Sequence, residues 1–356
     1  MKTIIFTGGG TAGHVTPNLA LMERLDRSEW DVHYIGTADG LEKGLLSDRA
    51  DLTYHEIAWG KLRRYFSWKN FSDPFRVLKG YQQSRKIIKA VHPDVLFSKG
   101  GFVSVPVVAA AKGHCPVITH ESDYTPGLAN KLAARCATTI CVTFSDTLQF
   151  VGKKGVLTGT PIRPALYHGS RERALAFTGL SGKKPVLLVM GGSLGAAAVN
   201  DALRAALPAL LPRFDVVHLC GKGKTDPAAA TLGYLQYEYV DAEMPDVLAL
   251  ADVVLSRAGA NAIFELLALK KPMLLIPLPA VSSRGDQLLN AEYFLRHGYC
   301  KVLMQDAVTP TSLTESLCAL YDTRQTVLDA MERATVVDGT EPILKLIFKA
   351  ANGAES

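Results

Sequence analysis

The chain has 356 residues, more than one hydrophobic core usually serves, and its 48% hydrophobic and 21% charged content is that of a globular protein of two domains. Its beginning lacks the charged, apolar and small-residue regions of a secretion signal. No window reaches the ~18 to 20 apolar residues of a membrane-spanning helix. The six cysteines include no Cys-x-x-Cys pair and read as buried thiols of a reducing cytoplasm, and the net charge of +5 is unevenly spread. Residues 1–165 hold 21 Lys/Arg against 14 Asp/Glu and the remainder 18 against 20, so the first half is the part expected to meet something acidic.

In chain order, an apolar run at 3–7 ends in Gly8-Gly9-Gly10-Thr11-Ala12-Gly13-His14 and opens into a helix-compatible stretch. A strand, a glycine turn and a helix start together favour anions, because glycine admits close backbone approach and first-turn N–H groups point at the ligand. The spacing Gly8-x-Gly10-x-x-Gly13 also fits a dinucleotide fingerprint. The next strand, 32–35, ends in Gly36-Thr37 without an acid at its tip, and His14 on the loop argues further against a nicotinamide site.

Between Trp59 and Lys89 the chain carries nine basic residues, one acid (Asp73) and seven aromatics. Trp59, Lys61, Arg63, Arg64, Trp68 and Lys69 are its membrane-facing candidates, with Val77, Leu78 and Ile87 expected to face the core. Basic and aromatic residues so interleaved suit an anionic lipid surface; no nucleic-acid recognition pattern accompanies them. Further strands are expected at 95–97, 117–119, 140–142 and 156–157, and the turn at 158–164 is the best domain boundary. The glycine phrase then returns as Gly191-Gly192-Ser193-Leu194-Gly195 after a strand at 186–189. Strands follow at 216–219, 237–240, 253–255 and 273–276. Short apolar runs alternating with helices mean parallel sheets of βαβ units, here in two Rossmann-like halves facing a common cleft. At the end, Thr340 is placed to cap a helix that Pro342 starts, with Ile343, Leu344, Ile347, Phe348 and Ala351 on one face. Among the histidines, His14 alone sits on a glycine loop, and His218 reads as a satisfied structural imidazole.

Residues 8–17, with Lys99-Gly100-Gly101-Phe102, His120-Glu121-Ser122-Asp123, the second glycine loop, Ser256-Arg257-Ala258-Gly259-Ala260 and Asp286-Gln287-Leu288-Leu289-Asn290, resemble one bacterial family. It is the MurG family of transferases, which add N-acetylglucosamine to undecaprenyl-linked muramoyl-pentapeptide. The sequence departs from the commonest family pattern at Ala12, Phe102, Asp123 and Asp286, which points to a subfamily. The resemblance implies the GT-B architecture: an acceptor- and membrane-binding domain at 1–161, a donor domain at 162–339, and a last helix (340–356) crossing back to the first.

It further implies an inverting transfer from UDP-N-acetylglucosamine (UDP-GlcNAc) to the lipid-linked muramoyl-pentapeptide, at the cytoplasmic face of the cell membrane. No tightly bound cofactor or protein-held metal is expected, since no Asp-x-Asp occurs. Gly10, Thr11, Ala12, Gly13, Gly100, Gly101 and Phe102 form the expected acceptor diphosphate loop. His14, Asp123 and Glu121 are rival candidates for the base, and His14 is equally placed to bind the acceptor diphosphate. Donor residues are Arg163, Gly192, Ser193, Leu194, Asp241, Arg257, Glu265, Asp286, Gln287 and Asn290. Glu265 would accept the ribose hydroxyls, and backbone near Val240 and Asp241 would meet uracil. Rival readings are another enzyme of the same architecture, a UDP-sugar epimerase or a diacylglycerol glycosyltransferase, and a binding module without catalysis. Division and cell-wall proteins as partners stay open.

Overall fold

The computed structural model describes residues 1–47, 49–60, 69–192, 195–281 and 284–353. The chain divides into two compact units: Met1–Arg163 together with the chain from Asp338 on, and Pro164–Val337.

Among the described residues, the first unit holds β1 (Lys2–Thr7), β2 (Trp30–Gly36), β3 (Thr53–Glu56), β4 (Val95–Ser98), β5 (Val117–Glu121), β6 (Thr139–Val142) and β7 (Gly155–Leu157). They form one sheet in the order β3-β2-β1-β4-β5-β6-β7, and every pairing is parallel. Both faces are covered, which is why β1 reads as an unbroken apolar run. Ile4 and Phe6 face one core, with Phe97, Ile343, Leu344 and Ile347. Ile5 faces the other, with Ile88, Leu96, Val103 and Val107.

The second unit repeats the plan with β8 (Val186–Met190), β9 (Asp215–Leu219), β10 (Tyr234–Tyr237), β11 (Val253–Ser256), β12 (Met273–Leu275) and β13 (Cys300–Val302). Their order is β10-β9-β8-β11-β12-β13, again parallel throughout. In each sheet the order reverses direction once, between β1 and β4 and between β8 and β11. The carboxyl ends of strands at such a switch point leave a crevice, the general ligand position of open α/β sheets.

The last helix, Thr340–Ala351, belongs to the first unit and buries Ile343, Leu344, Ile347 and Ala351 there. Phe348 stacks on Trp30 at 5.5 Å between centroids. The chain is pinned as it returns: Gly339 N–H donates to the Thr160 carbonyl (2.8 Å), and Ile162 N–H to Thr340 Oγ1 (3.2 Å).

Several expectations are corrected. Thr340 is the first helical residue and Gly339 occupies the cap position; the Thr340 hydroxyl is taken by the Ile162 backbone. The strand expected at 237–240 runs instead over Tyr234–Tyr237, because register with β9 is set by buried Tyr234 against Val216. β3 and β13 were not expected. β3 is a polar edge strand, Thr-Tyr-His-Glu, with no fully buried residue to announce it.

Lys61, Arg63, Arg64 and Trp68 lie outside the described residues. Lys69 opens the helix Lys69–Val91. Trp59 packs against the core of Ile88 and Val107 and is not an outward anchor. Leu78, expected inside, is 54% exposed beside Phe75 at 74%, while Val77 and Ile87 are partly buried. Among the described residues the exposed stripe of this helix includes Phe75, Arg76, Leu78, Lys79, Gln82, Arg85, Lys86 and Lys89.

Candidate active site

Both glycine loops of the first unit leave the strands that flank its switch point. Gly10 and the pair Gly100-Gly101 take positive φ (86°, 100° and 85°), which favours glycine. A side chain at Gly101 would strike the Gly9 carbonyl and come within 3.2 Å of His14 Nδ1. One at Gly100 would strike Asn130. Glycine here lets the two loops pack against each other. Phe102, Thr11, Ala12 and Gly13 line the same turns, Phe102 just before the helix Ser104–Ala111.

His14 closes a short 3-10 turn, Ala12–His14. Its Nδ1 lies 3.1 Å from the Gly9 carbonyl and 3.1 Å from Thr11 Oγ1. The carbonyl can only accept, so Nδ1 carries the proton and the ring's lone pair is on Nε2, as a general base requires. Behind the loop, buried Glu42 accepts from Thr37 N–H (3.1 Å), Thr37 Oγ1 (2.7 Å) and Gly10 N–H (3.3 Å). The Gly10 amide, expected to cradle diphosphate, is thus engaged by a carboxylate. Tyr34 Oη donates to the Gly8 carbonyl at 2.6 Å and completes the support.

The base candidates on β5 separate. Glu121 is buried, and its carboxylate accepts from Asp123 N–H (3.0 Å), Gly127 N–H (3.0 Å) and Asn130 Nδ2 (2.8 Å). This carboxylate braces the loop. Asp123 is half-buried on that loop. Beneath both lies Lys99, fully buried, its Nζ 2.7 Å from His120 Nδ1 and in contact with Ser122 Oγ. Lys99 and His120 belong to the matched motifs, but a lysine before two glycines gave no sign of burial. Arg163 is half-buried at the end of the unit.

In the second unit, β8 leads through Gly191 and Gly192 (φ 83°) to the helix Ala197–Leu210. A Cβ on Gly195 (φ 66°) would collide with the Cys220 carbonyl, whereas one on Gly192 meets nothing. Space is therefore open over Gly192 in the turn after β8. Ser193 and Leu194 lie outside the described residues.

Across the switch point, β11 leads to Arg257 and the helix Ala260–Ala268. Glu265 is half-buried in the second turn of that helix, past the first-turn N–H groups. A merely dipole-favoured acid would stand earlier. Arg257 is buried and donates to the Ile276 carbonyl (3.0 Å); burial lowers its pKa. Asn290, also buried, donates to the Ala258 carbonyl (3.1 Å), and Gln287 accepts from Leu278 N–H (3.1 Å). These three tie the loops after β11 and β12 together from behind. Asp286 opens the helix Asp286–Arg296 with Arg284 at 3.5 Å, its buried Oδ1 without a hydrogen bond among the described residues. Val240 is buried and Asp241 exposed.

Residues 4–142 match the model of the glycosyltransferase family 28 N-terminal domain, and residues 186–347 that of its C-terminal domain. A protein of Geobacillus thermodenitrificans is 52% identical over 353 residues, 98% of this chain and 99% of that one. Its name is UDP-N-acetylglucosamine--N-acetylmuramyl-(pentapeptide) pyrophosphoryl-undecaprenol N-acetylglucosamine transferase. One of Lachnospira eligens with the same name is 53% identical over 350 residues, again 98% and 99% of the two chains. The chain belongs to this transferase family. The crystal structure of MurG from Acinetobacter baumannii superposes with a TM-score of 0.75 at 26% identity, covering 98% of this chain and all of that one. A putative UDP-N-acetylglucosamine 2-epimerase of Listeria monocytogenes shares only the fold, at 14% identity and a TM-score of 0.71 over 100% of this chain and 98% of that one. The transferase family, with its GT-B fold, is therefore favoured over the epimerase reading.

Proposed function

We propose that this chain transfers N-acetylglucosamine from UDP-GlcNAc to the C4 hydroxyl of the muramoyl residue in undecaprenyl-diphospho-MurNAc-pentapeptide, inverting the sugar's configuration. The observation that carries the reading is the identity of 52% over 98% of the chain to a relative named for that donor and that lipid acceptor. The hydroxyl oxygen attacks C1 of the sugar while the C1–O bond to UDP breaks and UDP leaves with the electron pair. The hydroxyl proton passes to Nε2 of His14, whose tautomer the Gly9 carbonyl selects.

Charge developing on the departing diphosphate is met by the amides of the loop through Gly192, by Ser193 and by Arg163. Glu265 accepts the ribose hydroxyls. Arg257, Gln287 and Asn290 hold the donor loops in shape, and backbone at Val240 and Asp241 faces uracil. The Gly100-Gly101 turn receives the acceptor diphosphate.

Among the described residues no helix is long and apolar enough to cross a membrane. The polyprenyl chain of the acceptor stays in the bilayer, so the first unit reaches it by docking on the anionic cytoplasmic leaflet. The basic stripe on Lys69–Val91, with exposed Phe75 and Leu78, supports that placement. The direct experiment is acceptor-dependent release of UDP, comparing the lipid-linked muramoyl-pentapeptide with diacylglycerol.

A further inference from the structure

Lys99 follows β4 with its backbone N–H donating to the Thr7 carbonyl at 3.0 Å, so it is fixed to β1 at the switch point. A side chain on Gly8 would come within 3.3 Å of its Cβ. Its Nζ meets His120 Nδ1, at the end of β5, and Ser122 Oγ, on the loop that follows. His120 Nε2 donates in turn to the Gly159 carbonyl at 2.8 Å, which fixes the tautomer and leaves Nδ1 to accept from the lysine. One buried side chain thereby links three segments that are far apart in sequence: the glycine turn, the 121–124 loop that carries Asp123, and the turn at 158–160.

A buried lysine is costly unless its partners are arranged for it, and methionine fills a similar volume without that cost. Packing alone does not account for an ammonium at this position. We propose that Lys99 is a positioning residue for the acceptor side of the reaction, clamping the Ser122–Asp123 loop to the Gly100-Gly101 turn through its charged form. The proposal rests on the functional reading above.

Burial pushes the Lys99 pKa down to about 7, with Glu121 and Asp123 pulling it back up. His120 is held well below its ordinary value by burial and by the Lys99 charge, so a proton shared by the pair resides on the lysine. The groups facing Lys99 from β5, its loop and β6 are His120, Glu121, Asp123 and Cys141, and the β1 glycine turn packed on its Cβ carries His14. Below about 7 the ammonium offers the 121–124 loop a charge-assisted bond; above it that bond weakens to a neutral one. The clamp therefore contributes an alkaline limb to acceptor kcat/KM.

The test compares full-length wild type with Lys99→Met and Ser122→Ala, measuring UDP release against pH with donor and lipid acceptor varied separately. Lys99→Met is expected to lower acceptor kcat/KM roughly tenfold or more, leave the donor KM within about twofold, and abolish the alkaline limb. Ser122→Ala keeps the lysine, and a smaller fall confined to the acceptor is expected. It decides the matter if a thermal melt shows that Lys99→Met does not fold. A wild-type acceptor kcat/KM and unaltered pH profile in the folded variant overturn the positioning role alone. Loss of release by wild type itself overturns the functional reading and this proposal with it.

Discussion

In the proposed reaction His14 takes the hydroxyl proton and Glu265 accepts the ribose hydroxyls. If His14 Nε2 takes the hydroxyl proton, His14→Ala lowers kcat roughly 100-fold or more at saturating acceptor, the usual worth of a general base. Near-normal turnover in that variant would transfer the role to Asp123. Glu265→Ala is expected to weaken UDP-GlcNAc binding by about 1 to 3 kcal/mol in titration calorimetry, since charged acceptor bonds are lost; unchanged donor affinity contradicts the ribose contact. The sequence made His14 legible because it alone among the histidines stands on a glycine loop. It could not separate Glu121 from Asp123, two carboxylates on one strand end, because only folding brings Gly127 and Asn130 round to occupy the first. Arg257 and Asn290 look like ordinary polar residues in a sequence, yet both are buried braces.

At the level of elements, the helix Ala197–Leu210 is tied to β9 behind the donor loop by a polar chain. Tyr234 Oη lies 2.8 Å from His218 Nδ1, His218 Nε2 3.0 Å from Asn200 Oδ1, and Asn200 Nδ2 donates to the Cys220 carbonyl (2.9 Å). Burial, aided by the Arg204 charge, pushes the His218 pKa down to about 4 from 6.5. The unfolded chain therefore binds this proton first. The stabilisation is complete above about 6.5 and is lost as pH falls toward 4, about 2 kcal/mol of it by pH 5. Denaturant unfolding at pH 7 and pH 5 is expected to show this fall in wild type and a flatter one in His218→Gln; equal slopes would refute it.

The interior strands were readable from their apolar runs, since a parallel sheet covered on both faces leaves no polar alternation. Of the edge strands β7 was readable, whereas β10 was displaced by three residues and β3 and β13 were unseen. A short edge strand such as β3, with half-buried Tyr54 and His55 between exposed Thr53 and Glu56, resembles a loop until its partner fixes the register. The last helix was legible from Ile343, Leu344 and Ile347, while its cap was not, because the Thr340 hydroxyl is drawn to Ile162, distant in sequence.

For the molecule as a whole, the excess of basic residues before position 165 is concentrated partly on the outer face of Lys69–Val91. Each lysine or arginine near an anionic leaflet contributes about 1 kcal/mol, so several together give reversible attachment. Co-sedimentation with vesicles of rising anionic lipid content is expected to fall in Arg76→Glu/Lys79→Glu/Lys86→Glu, and equal sedimentation at physiological salt would remove the docking face. UDP-GlcNAc labelled in the sugar is incubated with undecaprenyl-diphospho-MurNAc-pentapeptide, or separately with diacylglycerol, and the lipid product and released UDP are quantified. One UDP per β-linked disaccharide lipid is expected with the first acceptor and none above background with the second. Transfer to diacylglycerol, or UDP release without a lipid-linked disaccharide, would contradict the proposed function.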